Sequence, residues 1–344
     1  NERNSMSRIA VVGTGSMGKN HVRVLREMAG VELVGLVDPN PAVARPLADR
    51  YALPVYASLE ALINVAKPEA VVVATPTAQH FTVVSCLLEH GIHVLVEKPI
   101  ASTRAEGQAM IDMAARQGVV LSIGHVERFN PAVIAVGQYL KEGRLGKLIQ
   151  IDARRLGPYP QHIGDVGVGI DLAVHELDII RSLSGSEVVS VFADAAHAIN
   201  SQREDLLVSV LRLENGTIGT LTISWLSPTK TRELCLTGAR GMYRLNYLTQ
   251  DLEFFENASI DSQENWDTMQ VLRGVSEGQM IRHAIRKKEP LRAELEAFLA
   301  AVRHEGPVVI TGADGLRALE LAEALLTSAQ ERRPVLLVPA RTTL

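Results

Sequence analysis

Short apolar runs alternate with stretches of helical period through the first third of the chain. The runs are 9–12, 31–37, 70–74, 93–96 and 119–123. Between them, the spacing predicts helices over 18–28, 41–51, 59–65, 79–90 and up to Gln117. Ser58 is placed to cap the third of these and Ser102 or Thr103 the last, while Gly91 and Gly118 stand where helices stop. Runs this short are not buried helices. Apolar on both faces, they predict parallel strands covered on both sides by helices, a doubly wound α/β sheet.

Beyond residue 125 the rhythm changes. A strand is expected over 148–156, then a helix over 170–183 with Gly185 behind it. Strand signals follow at 188–192, 205–213, 217–224, 233–237, 241–247 and 252–256. Asn215-Gly216, between two alternating runs, signals a hairpin. The polar stretch 257–275 reads as a loop, and helices are expected over 290–304 and 313–332. This half predicts an α+β domain with a largely antiparallel sheet. Domain bounds are expected at 7–124 and 125–340, with the C-terminal helices able to pack back on the first domain.

Length and charge narrow the class. The 344 residues suit two domains. With 35 basic against 39 acidic residues and a net charge of −4, there is no basic stripe for nucleic acid. No apolar run approaches the roughly 20 residues that span a bilayer. Two cysteines, Cys86 and Cys235, make no disulfide framework, and Asn1–Ser7 shows no signal-peptide pattern. A cytoplasmic protein without a membrane partner is expected.

The chemistry begins at Gly13-Thr14-Gly15-Ser16-Met17-Gly18. A lone G-x-G-x-x-G is not diagnostic, but this one follows a strand signal and opens a helix. Asp38 ends the next strand, about 20 residues on. Gly13 permits the tight turn, Gly15 lets backbone approach a pyrophosphate, and Gly18 permits close packing. The helix N-terminus offers unpaired N–H groups to phosphate. A dinucleotide-binding Rossmann domain follows. The Asp38 carboxylate suits ribose hydroxyls and repels a 2′-phosphate, so NAD is expected rather than NADP.

Glu97-Lys98-Pro99 follows the fourth strand, where strand ends face the ligand crevice. Lys98 is placed to touch substrate, or else is a surface lysine paired with Glu97. Asp171 and His175 are four residues apart on an expected helix, a carboxylate beside an imidazole that titrates near neutrality. Zinc on His175, Asp171 and Asp178 is the competing reading. It lacks a further spaced ligand, and no metal is expected.

Together with Ala74-Thr75-Pro76 and His80, this set resembles the glucose–fructose oxidoreductase / inositol dehydrogenase (Gfo/Idh/MocA) family of sugar dehydrogenases. The resemblance spans nearly the whole chain. It implies a Rossmann domain followed by an α/β domain whose open sheet often forms an oligomer contact, so a homo-oligomer is expected. It implies Lys98 and His175 as the catalytic pair, assisted by Asp171. Gly13, Gly15, Ser16, Met17, Gly18, Asp38, Thr75, Pro76, His80, Glu97 and Lys98 are then expected around the cofactor. The segments 124–131 and 154–158 look like the branch that oxidises nucleotide-linked amino sugars. Arg128, Asn130 and Arg155 are expected to contact substrate beside Lys98, Asp171 and His175, a guanidinium fork being suited to a diphosphate. Rival readings are a free polyol or hexose dehydrogenase, a non-catalytic NAD-bound regulator, and an oxidoreductase that recycles bound NAD with a second substrate.

Overall fold

The computed structural model describes residues 6–160, 166–199, 202–257 and 277–338. In chain order come β1 (Ser7–Val12), α1 (Ser16–Glu27), β2 (Val31–Val37), α2 (Pro41–Tyr51), β3 (Val55–Tyr56), α3 (Leu59–Ala61), β4 (Ala70–Val73), α4 (His80–Glu89), β5 (His93–Glu97), α5 (Arg104–Gln117) and β6 (Leu121–Gly124). Next are α6 (Pro131–Lys141), β7 (Leu148–Pro158), α7 (Val168–Asp171), α8 (Ala173–Ser184), β8 (Val188–Ala196), β9 (Leu206–Leu213) and β10 (Ile218–Ser224). The chain ends with β11 (Leu226–Gly238), β12 (Gly241–Asn246), β13 (Asp251–Asn257), β14 (Glu277–His283), α9 (Pro290–Val302), α10 (Gly312–Glu331) and β15 (Val335–Leu336).

Two compact units result: residues up to Val126 with Glu289–Glu320, and Glu127–Lys288 with Leu321 onward. The first holds a six-stranded parallel sheet in the order β3-β2-β1-β4-β5-β6. β4 and β6 are buried at every residue, as strands covered on both faces must be. Ile9 and Val11 of β1 share a core with Val22 and Leu25 of α1 and with Leu295, Phe298 and Leu299 of α9. The strand order reverses at β1, so the loops after β1 and β4 flank a crevice at the sheet's C-terminal edge.

Local chemistry explains most boundaries. Thr103 and Glu106 form a capping box at the start of α5, and Gly118 ends it at φ +65°. The helix expected over 59–65 is instead one α-turn continued by a π-turn over Leu62–Ala66. β-branched Ile63 and Val65 and the amide of Asn64 support a regular helix poorly.

The second unit holds a nine-stranded sheet in the order β14-β13-β12-β11-β7-β10-β9-β8-β15. Only β7 and β10 run parallel; every other pair is antiparallel. β9 alternates buried and exposed residues along its length. Leu207 and Leu211 face the core, whereas Val208, Val210 and, opposite Val210, Phe192 are 45–49% exposed. The hairpin at Asn215-Gly216 is present, but its loop is Glu214–Gly216, with Gly216 at φ +86° and the Asn215 side chain accepting from Thr217 N. It is the three-residue, glycine-bulge form rather than the two-residue one. Asn257 closes β13, and the remainder of the expected loop lies outside the described residues.

Candidate active site

In the first unit the glycine loop separates packing from ligand approach. Gly13 sits at φ +89°, and a Cβ there would lie 2.5 Å from the Ala74 carbonyl oxygen. A Cβ on Gly18 would lie 1.9 Å from the Gly13 oxygen. Chain packing alone demands both glycines. Gly15 differs: its φ is −64°, and a Cβ there would meet nothing within 4 Å. Nothing in the chain's own packing requires it, which leaves close approach of a ligand as its reason. No side chain caps α1 and no acid stands in its first turn, so its N-terminal dipole is left to an anion.

Asp38, at the end of β2, is half-buried. Its Oδ2 accepts from Thr14 N and Thr14 Oγ1, both at 2.7 Å, and its Oδ1 accepts from Asn40 N at 2.8 Å. The carboxylate therefore staples the glycine loop to β2 as well as presenting an acceptor for ribose. Those three bonds leave about one of its four lone-pair positions for a ligand, rather than enough for both ribose hydroxyls. These residues fit a dinucleotide.

His80, expected around the cofactor, is buried, and its Nδ1 and Nε2 lie 2.9 and 3.0 Å from the carbonyl oxygens of Pro99 and Thr75. Burial pushes its pKa down. With both nitrogens on backbone, His80 ties the loop after β4 to the turn after β5 instead of offering a nitrogen to the cofactor. Thr75 is half-buried and Pro76 exposed on that loop.

Lys98 follows β5 at that same sheet edge, is half-buried, and precedes a cis proline. Its neighbour Glu97 turns inward. His21 Nε2 donates to Glu97 Oε1 at 2.8 Å, and both residues are buried. Burial raises the Glu97 pKa, but the bond and charge of His21 together with Lys98 outweigh it, and the net shift is downward. On α9, Glu294 is 2% exposed, and neither of its carboxyl oxygens has a hydrogen-bond partner. Burial first, then the charge of Glu97, drives its pKa well above the carboxylate range.

The second unit carries Asp171 and His175. The single helix expected over 170–183 is broken at Leu172 into α7 and α8; Leu172, at φ −102° and ψ −38°, still keeps the right-handed turn. Gly167, before α7, packs where a Cβ would come within 2.1 Å of Glu204 Oε1, and that same oxygen accepts from Gly169 N. Asp171 and His175 are half-buried, while Glu176 and Asp178 on α8 are fully buried.

Two buried ion pairs lock α8. Arg128 donates to Asp178 in a fork, Nε to Oδ2 at 2.7 Å and Nη2 to Oδ1 at 2.5 Å. Arg155, 5% exposed, donates from Nε to Glu176 at 2.5 Å and from Nη2 to Glu127 at 2.9 Å. Tyr247 Oη donates to the other Glu176 oxygen at 3.0 Å. Burial opposes the charge on Arg155, yet Glu176 and Glu127 more than reverse it and raise its pKa. Burial, then the same two acids, raises that of Tyr247.

Arg128 and Arg155, expected at a diphosphate, bond to carboxylates of their own unit. Asn130 is buried: its Oδ1 caps α6 through Ala132 N, and its Nδ2 donates to the Tyr247 carbonyl. Asp178 is held by Arg128, which breaks the zinc set. Among the described residues no group of three His, Cys, Asp or Glu is placed to hold a metal. His21, Glu294, Tyr247 and Arg232 carry no motif, and no sequence signal marks them. The helix α6 did have one, Asn130-Pro131 at its cap and first position.

Residues 7–125 match the oxidoreductase family described as NAD-binding Rossmann fold, and residues 138–337 match its C-terminal alpha/beta domain. The chain belongs to the Gfo/Idh/MocA oxidoreductase family. Members of this family are NAD-dependent sugar and polyol dehydrogenases acting on CH–OH, and this chain is one of them. It is 30% identical to UDP-N-acetylglucosamine 3-dehydrogenase of Acidithiobacillus ferrooxidans over 92% of this chain and 95% of that one. A solved structure of that enzyme covers 94% of this chain and 97% of its own with a TM-score of 0.83 at 28% identity. Inositol 2-dehydrogenase of Rhizobium meliloti is 25% identical over 95% of this chain and 98% of its own. NAD is the cofactor, and among the described residues no helix is long and apolar enough to cross a membrane.

Proposed function

We propose that the chain oxidises a secondary hydroxyl on a nucleotide-linked amino sugar, the 3-hydroxyl of UDP-N-acetylglucosamine or a close analogue. The observation that carries this reading is the 30% identity to such an enzyme across 92% of the chain. NAD, held by the glycine loop and Asp38, would supply a hydride acceptor for the sugar carbon. His175 takes the hydroxyl proton as general base; an imidazole suits that task near neutral pH. Lys98 donates to the same oxygen as negative charge develops on it, where a fixed cation helps most. Asp171 orients His175 or binds a neighbouring hydroxyl. In this reading Glu97, through His21, holds the turn that presents Lys98.

The protein works as a homo-oligomer in the cytoplasm. Exposed Phe192, Val208 and Val210 on one sheet face support a second copy as partner, and two free thiols suit a reducing compartment. The test is a panel of UDP-sugars and free polyols followed by NADH absorbance. The proposal expects turnover that requires the UDP group. Turnover of inositol with no response to any UDP-sugar would contradict it and favour the polyol reading, which the inositol dehydrogenase relatives also support.

A further inference from the structure

Arg128 and Arg155 are paired with carboxylates, whereas another arginine of the second unit, Arg232, has a fork that bonds to no described residue. On β11, Arg232 stands directly opposite Arg155 on β7, and Thr231 stands opposite Leu156. Cross-strand partners project from the same sheet face. For Arg155 that is the face reaching Glu176 on α8. Two arginines so placed repel each other unless acids intervene. Glu176 and Glu127 both bond to Arg155.

Arg232 is satisfied differently. Its Nη1 donates to the Leu156 carbonyl at 2.7 Å and to its neighbour Thr231's at 3.0 Å. Two neutral oxygens thus use up both hydrogens of one terminal nitrogen. The opposite edge, Nε and Nη2, bonds to no described residue, and no described carboxylate lies within ion-pair distance. That edge is the one that grips phosphate or carboxylate through two parallel bonds. The side chain is half-buried, and burial, then Arg155, push its pKa down to about 10; Asp171 is among the acids that offset this. Arg232 therefore remains charged at neutral pH, within the electrostatic reach of Asp171. A half-buried cation without a counter-ion is costly to keep. Such groups collect where a ligand supplies the missing charge.

We propose that Arg232 binds an oxyanion carried by the sugar substrate, through its Nε–Nη2 edge. This rests on the reading of Asp171 and His175 as the substrate end of the site. In a nucleotide-linked sugar the oxyanion is the phosphate on the anomeric carbon; in a sugar acid it is the carboxylate.

The test is calorimetric binding to the NAD-loaded enzyme, wild type against Arg232→Gln and Arg232→Lys, with UDP-N-acetylglucosamine, glucose 1-phosphate, glucuronate and myo-inositol as probes. A charged probe that binds the wild type is expected to bind Arg232→Gln about tenfold to a hundredfold more weakly. Arg232→Lys is expected to fall between, since lysine keeps the charge and loses the fork. Inositol and NAD affinities are expected to stay level. Weakening for both phosphates but not glucuronate assigns the phosphate; the reverse assigns the carboxylate. The inference is overturned if all charged probes bind both proteins equally, if none binds the wild type, or if inositol weakens as much as they do. Failure of the nucleotide-sugar reading shows separately, as wild-type binding of glucuronate without any UDP-sugar.

Discussion

The carboxylates on α8 and those at the cofactor edge of the first unit are held in opposite ways. In the second unit each buried acid on α8 meets a guanidinium, Glu176 with Arg155 and Asp178 with Arg128. Among the described residues of the first unit, no arginine pairs with the acids around the cofactor edge. Asp38 is held by neutral N–H and O–H donors, Glu97 by His21, and Glu294 by no described group. The contrast follows from what each set supports. Paired acids cancel charge and fix a helix in place. Asp38, held by neutral donors, and Glu97, held by His21, stand at a sheet edge where a ligand or a lysine can meet them.

The largest effect is expected from breaking a matched pair. Arg155→Ala leaves Glu176 buried without its cation and should cost about 3–5 kcal/mol in denaturant unfolding. A loss below about 1 kcal/mol would mean that water reaches Glu176 and that the second unit is less strictly matched than described.

In the first unit, Asp38→Ala removes both a staple and a ribose acceptor. Its NAD affinity should fall about tenfold to a hundredfold, the worth of charge-assisted hydrogen bonds, while NADP affinity falls less. Equal losses for both cofactors would take Asp38 off the ribose and leave it only the staple.

The subtlest effect lies in Glu294. Its folded pKa is raised, so the folded state holds that proton more tightly than the unfolded chain. The stability this confers is fully present below the ordinary carboxyl pKa and is lost as pH rises toward the folded value. Glu294→Gln has no proton to lose. Its stability relative to wild type should therefore climb as pH rises from about 5, by about 1.4 kcal/mol per pH unit inside that window. A difference independent of pH would show that Glu294 is ionised in the folded protein and has a partner.

The same contrast decides what could be read from the sequence. Around the first sheet, chemistry sits in loops directly after strands, so Gly13, Gly15, Gly18, Asp38 and Lys98 are marked by their place in a local pattern. The parallel sheet and the cofactor followed from that pattern together with the family resemblance, whereas the two-residue β3 at Val55–Tyr56 had no signal. In the second unit, roles depend on pairings across 21 to 71 residues of chain, as Glu176 shows with Arg155 and Tyr247. Composition cannot tell a guanidinium bound for phosphate from one bound for a buried acid, and nothing local to Arg128 or Arg155 marks the carboxylates they meet. Arg232 lies outside the strand expected over 233–237. The structure begins that strand at Leu226.

If Lys98 and His175 act on one substrate hydroxyl, as proposed, single-turnover kinetics of Lys98→Ala and His175→Ala will show it. With saturating NAD and the best substrate from the panel, each variant should lose about a hundredfold to ten-thousandfold in the hydride-transfer rate. NAD should bind both as tightly as it binds the wild type. Either variant turning over within a few-fold of the wild-type rate would contradict the assignment.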